Sequence, residues 1–171
     1  MKPGASLPHL AWYRDRRAWR LLAIRFLPWF AGLSLAWEIA QLPLYTLWTE
    51  ATPAYIAFAV VHCTLGDVLI GAAALLLGLI LARAGSFDTW PWRRIAVSAA
   101  LLGAAYTVFS EWTNTAILGS WAYAASMPRL DLGGIEIGLS PLLQWLVLPP
   151  LAVYLTRLHA AGRWSRFRRS S

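Results

Sequence analysis

Four apolar runs, each near or beyond the length of a membrane crossing, constrain this chain more than any other feature. The hydrocarbon core of a bilayer takes about 20 residues of α-helix. Lipid also demands that every backbone N–H and C=O be paired within the protein, which an α-helix achieves on its own. The runs cover about residues 21–48, 55–83, 95–118 and 140–158. They predict an all-α, polytopic membrane protein with four transmembrane helices, one integral membrane domain over residues 1–171. Composition agrees: 58% of residues are hydrophobic and 13% charged, against about 25% charged in soluble domains. Eleven Trp residues in 171 fit the same class, because indole favours the headgroup level. Pro28 predicts a kink early in the first run, and Pro149-Pro150 a bend within the fourth. Ser140-Pro141 reads as the N-cap and first turn of the fourth helix.

Orientation follows from the basic residues. They gather before the first run, between Arg83 and Arg94, and after the fourth run. With four spans these segments share one side, which the positive-inside rule makes the cytoplasm. Both termini are therefore expected in the cytoplasm and the 119–139 loop in the periplasm, in a multi-pass protein of a bacterial inner membrane. The net charge of +7 belongs to this topology signal, so no nucleic-acid partner is expected. The first run is too long for the 7–15-residue core of a signal peptide and carries Arg25 and Glu38, so it reads as an uncleaved helix. Cys63 is the one cysteine and has no partner for an internal disulfide.

Ionisable and amide side chains inside apolar runs are costly in lipid, so each is a candidate for function. Glu38 and Gln41 lie three apart on the first helix, His62 and Asp67 sit on the second, Glu111 and Asn114 lie three apart on the third, and Gln144 begins the fourth. Alternating helix directions place all of them in the outer half of the membrane, converging on one outward-facing pocket. Trp121 and Tyr123 in the 119–139 loop would lie above it, with that loop either a lid or an interfacial anchor. His62 and Asp67 are about 140° apart on an ideal helix, so both reach the pocket only from opposite rims. Gly66 and Gly71 permit close helix approach.

Three chemistries compete for this constellation. Glu38, His62, Asp67 and Glu111 can serve as general acid and base, with Gln41, Asn114, Trp121, Tyr123 and Gln144 holding a substrate. His62, Asp67 and Glu111 can ligate a divalent metal, although no paired-histidine spacing supports one and no other cofactor is indicated. The whole set can instead be a structural network that fixes helix register, with Asn114 and Gln144 as glue. The expected function is binding or transformation of a small lipophilic or amphiphilic molecule. The alternatives are a non-enzymatic accessory or assembly subunit and a transporter component. The lipid bilayer is the expected environment, and a protein partner or a second copy stays open.

The stretches WEIAQLPLY (37–45), HCTLGDVLI (62–70), SEWTNT (110–115), GSWAYAASMP (119–128) and GLSPLLQWLVLPPLA (138–152) resemble an uncharacterised family of small four-helix bacterial membrane proteins. That resemblance implies no activity. A looser likeness is to lycopene-cyclase-type membrane domains, which also place a Trp-x-aromatic segment before a Leu-Pro-rich helix. Those domains carry paired acidic residues where this chain has Leu143-Gln144, so their catalytic residues do not carry over.

Overall fold

A computed structural model describes residues 12–167, with side chains to Leu158. The extreme ends of the chain, expected in the cytoplasm, lie outside the described residues. Four long helices make up most of the structure: α1 (Arg16–Leu44), α2 (Pro53–Leu81), α3 (Trp92–Ile117) and α4 (Leu139–Phe167). All four are long and apolar enough to cross a membrane. α1 and α3 each pack on α2 and α4, which closes a four-helix bundle.

Local chemistry sets the helix ends. α1 is not uniform: a π-helical turn at Leu22–Phe26 precedes regular helix over Leu27–Gln41. The disturbance lies just ahead of Pro28, where a kink is expected. The helix then narrows to a 3₁₀ turn at Leu42–Leu44, short of the expected limit near residue 48. Pro43 has no N–H to continue the ladder, and Leu47–Glu50 forms a separate helical turn. α2 opens with the Thr52 side chain accepting from the Tyr55 N–H and Pro53 in the first turn. α4 begins at Leu139, so Ser140 lies inside the helix and not at its cap. The helix is continuous through Pro149 and Pro150.

The structure is mostly helical, as expected, and the long loop adds one short hairpin to it. Arg129–Asp131 (β1) and Glu136–Gly138 (β2) form an antiparallel hairpin with Leu130 opposite Ile137. Gly133 and Gly134 turn it at φ +70° and +91°, a region that glycine enters without steric cost. The loop is also tied down. Thr46 N–H donates to the Ala122 carbonyl at 3.0 Å, and Ala124 N–H donates to the Leu44 carbonyl at 3.0 Å. The loop therefore straps the bundle end that also carries the α1–α2 connection.

The bundle divides along its length. Phe26, Phe30, Leu75, Leu79, Ile95, Trp145 and Leu148 form a dry core toward the Arg83–Arg94 end. Two glycines let it close. A methyl group added at Gly71 would lie 2.3 Å from the Phe30 ring, and one at Gly103 would lie 1.9 Å from Trp145. At the Arg83–Arg94 end, Phe87, Trp90 and Trp92 form an edge-on aromatic cluster. Arg17 lies over the Phe87 ring and pairs with Asp15 at 2.9 Å and Asp88 at 3.1 Å. The arginine holds the Asp15 carboxyl below its ordinary range. Exposed pairs of this kind are screened by water and stabilise little, so they orient the loop more than they stabilise it. Toward the loop end the core gives way to polar side chains and a cavity.

Candidate functional site

Polar residues of α1, α2 and α4 meet first in a hydrogen-bonded ring. Gln41 Nε2 donates to Glu38 Oε1 at 2.9 Å and to Gln144 Oε1 at 3.3 Å. Gln144 Nε2 donates to Asp67 Oδ2 at 2.6 Å. Asp67 and Glu38 are neighbours at the two ends of this chain of bonds. Gln41 and Gln144 are 6% and 3% exposed. Burial at that level makes each of these bonds expensive to lose. Ser140 Oγ donates to Gln41 Oε1 at 2.9 Å and accepts from Trp37 Nε1 at 3.3 Å, extending the network to the start of α4.

A second cluster joins α3 to the loop. The Tyr123 hydroxyl donates to Glu111 Oε2 and accepts from the Gly138 N–H at 2.9 Å. Burial, and then the bond to Glu111, push the Tyr123 phenol well above the ordinary tyrosine range, so it remains a donor. Tyr45, beside it at 5.7 Å between ring centroids, is raised in the same way by burial and by the nearby Glu111 carboxyl. The buried Trp121 indole N–H lies by the Glu111 carboxyl but makes no hydrogen bond of normal geometry among the described residues. Just after Glu111, α3 widens into a π-helical turn at Thr113–Ile117. Thr113 and Thr115 hydroxyls there donate to the Phe109 and Glu111 carbonyls at 2.8 and 2.7 Å. Such turns re-aim the side chains that follow them.

Both clusters border one cavity of about 490 Å³. Glu38, Gln41, His62, Asp67, Glu111, Asn114, Trp121 and Gln144 all line it. Of the expected site residues, Tyr123 is not part of the lining and reaches the cavity through Glu111. The residues differ in what they do there. Asn114 turns back on its own helix, with Nδ2 donating to the Ser110 carbonyl at 2.9 Å, so Gln144 bridges helices and Asn114 does not. His62 is exposed at the rim and stacks on Phe58, with ring centroids 5.6 Å apart. Among the described residues no three His, Cys, Asp or Glu side chains are close enough to hold a metal ion. The expected ligand set His62, Asp67 and Glu111 is therefore not assembled. Asp67 also sits at the midpoint of α2 rather than in the half nearer the loop, because that helix runs from Pro53 to Leu81.

Several lining residues carry no charge to advertise them: Tyr45, Tyr55, Phe58, Tyr106 and Ser110. Ser140 has the most direct role of those not singled out as site residues, through its bonds to Gln41 and Trp37. Its place one turn before Gln144 is the only trace of this in the sequence. No protein-family model, characterised protein or solved structure matches the chain.

Proposed function

We propose that this chain is a multi-pass protein of a bacterial inner membrane that binds a small lipophilic or amphiphilic molecule in an outward-facing pocket and can act on it by acid–base chemistry. One observation carries this reading: polar groups from all four helices line a cavity of about 490 Å³ at one end of the bundle. Ligand sites of roughly 300–1,000 Å³ with mostly apolar walls and a few convergent polar groups are the usual form of small-molecule pockets. Glu38 and Asp67 bring two carboxyl groups to one wall of the cavity. Glu111, held by Tyr123, offers an independent carboxyl. In a low-dielectric site such pairs are suited to moving a proton to and from a bound molecule.

A structural or accessory role has an observation of its own, because the ring of Glu38, Gln41, Asp67 and Gln144 satisfies its members internally. The two readings separate on Glu111→Gln. A glutamine retains an acceptor for Tyr123 but removes the carboxyl. Under the pocket reading, native mass spectrometry of the purified chain shows a bound lipophilic molecule. The variant then loses that ligand while its melting temperature stays within a few degrees. A variant that melts much earlier, from a wild-type chain that carries no ligand, would favour the structural role.

The outward direction rests on Arg and Lys distribution. Arg83, Arg93 and Arg94 lie at the bundle end opposite the cavity. Reporter fusions after Ser171 and within residues 83–94 should read cytoplasmic, and one near Leu132 periplasmic. A periplasmic reading after Ser171 would turn the pocket toward the cytoplasm.

A further inference from the structure

The walls of the cavity specify more than polarity. Three carboxyl groups line it, on Glu38, Asp67 and Glu111; among the described lining residues the one basic side chain is His62, exposed and stacked on Phe58 at the rim, and there is no Lys or Arg. Glu38 and Asp67 are bonded to the Gln41 and Gln144 amides, and Glu111 to a phenol, not to a cation. A phosphate or carboxylate head would therefore meet three carboxyl groups and no Lys or Arg to neutralise it, which is unfavourable away from bulk water. A cation meets the opposite situation. It would be paired by carboxyl groups, with the aromatic side chains of Tyr45, Tyr55, Phe58 and Trp121 on the same walls. Aromatic faces attract a desolvated ammonium by about 2 kcal/mol or more.

The cavity also has a side entrance. Toward the Arg83–Arg94 end, α2 and α3 are in backbone contact: a methyl group added at Gly78 would lie 3.2 Å from the Ile95 carbonyl oxygen and 3.4 Å from the Ala99 nitrogen. Toward the loop end the cavity wall includes Gly66 on α2 and Tyr106 and Ser110 on α3. An added methyl at Gly66 meets nothing within 4 Å. Tyr106 is 45% exposed and Phe58 is 60% exposed although both line the cavity, so the wall continues onto the lateral surface of the bundle. A tail leaving through this gap would lie among lipid chains while its head sits between the carboxyls.

We infer that the pocket takes an amphiphile with a cationic ammonium head, admitted sideways between α2 and α3. The inference rests on the pocket reading above and narrows its ligand. Two sources carry this chemistry: a free long-chain amine, and an aminophospholipid of the bilayer whose ammonium enters while its phosphate stays at the side entrance. They share the ammonium, and the test separates them.

The full chain in a neutral detergent is mixed with equal amounts of dodecylamine, dodecanol and dodecyl phosphate, and binding is read by native mass spectrometry. Dodecylammonium should be retained at least tenfold more than either competitor. A Gly66→Leu variant, whose added side chain has room on the folded bundle, should keep its melting temperature and lose that binding. Phosphatidylethanolamine nanodiscs then identify the source. Displacement of dodecylammonium there, but not in phosphatidylglycerol nanodiscs, assigns the ligand to the bilayer; retention in both assigns it to a free amine, and each result supports an ammonium site. Equal or stronger retention of dodecanol or dodecyl phosphate would overturn the ligand class while leaving the pocket reading in place. Retention of none of the three would overturn both. Undiminished dodecylammonium binding by Gly66→Leu would overturn the side entrance.

Discussion

Gly103→Ala should destabilise the bundle by about 1–3 kcal/mol, the usual cost of forcing an extra carbon into a packed core, and Gly103→Leu by more. The added Cβ would lie 1.9 Å from Cε3 and 2.7 Å from two further atoms of the Trp145 ring. Trp145 is 4% exposed and cannot swing into solvent. Nor can it move toward α1, because Phe30 lies against it with ring centroids 5.7 Å apart. Phe30 is itself fixed by the close approach of Gly71. Gly71, Phe30, Trp145 and Gly103 thus form one row across four helices, in which each ring occupies the space left by a missing side chain. Gly32→Ala is the control. It lies in regular helix with nothing within 4 Å of an added Cβ, and alanine in helix is favoured over glycine by about 0.5–1 kcal/mol. Thermal unfolding in detergent, followed by circular dichroism, should show a clear loss for Gly103→Ala and none for Gly32→Ala. Pairing Gly103→Ala with Trp145→Phe should recover part of the loss. Equal melting temperatures for the two alanine variants would mean that the row is not rigid.

The same row explains what the amino-acid order does and does not reveal. The four apolar runs are plain in the sequence because lipid-compatible length needs no neighbour to define it. Glu38, Gln41, Asp67 and Gln144 stand out for the converse reason, as costly groups inside those runs. Their partners are less visible. Ser140, Trp37 and Tyr45 belong to residue types that occur at caps and membrane interfaces for other reasons, and Ser140 reads as a cap until the helix is seen to start at Leu139. Rotational phase is harder still. Whether Asp67 faces Gln144 or shares a rim with His62 depends on how Gly71 and Gly103 seat the helices, which is a property of pairs of helices and not of any one. The hairpin is a different case. Arg129-Leu-Asp-Leu-Gly-Gly-Ile-Glu-Ile-Gly alternates apolar and polar residues about a Gly-Gly turn, a recognised hairpin pattern. This hairpin is legible at the level of local chemistry, because the alternation and the Gly-Gly turn lie within ten consecutive residues.

Gln144→Leu should cost about 1–3 kcal/mol, the range for leaving a buried polar group unpartnered. Leucine fits the volume, so little is lost in packing. What changes is the ring: Asp67 Oδ2 loses a donor at 2.6 Å and Gln41 Nε2 loses an acceptor at 3.3 Å. Interhelical hydrogen bonds in membrane proteins average only about 0.6 kcal/mol, so most of the expected loss comes from leaving the Asp67 carboxyl and the buried Gln41 amide without this partner. That origin has a testable consequence. In the Gln144→Leu background, Asp67→Leu should be nearly neutral or stabilising, because replacing both partners by apolar groups removes the stranded group. In the wild-type background the same Asp67→Leu change strands Gln144 and should destabilise. A double-mutant cycle on melting temperature and denaturant resistance therefore gives a coupling of about 0.5–3 kcal/mol if the ring is real, and simple additivity if Gln144 and Asp67 do not interact. The doubly apolar variant also separates structure from function at the ring itself. A stable bundle that has lost its ligand would show that Asp67 and Gln144 are retained for binding, whereas a stable bundle that still binds would move the recognition of the head to Glu111 and Tyr123.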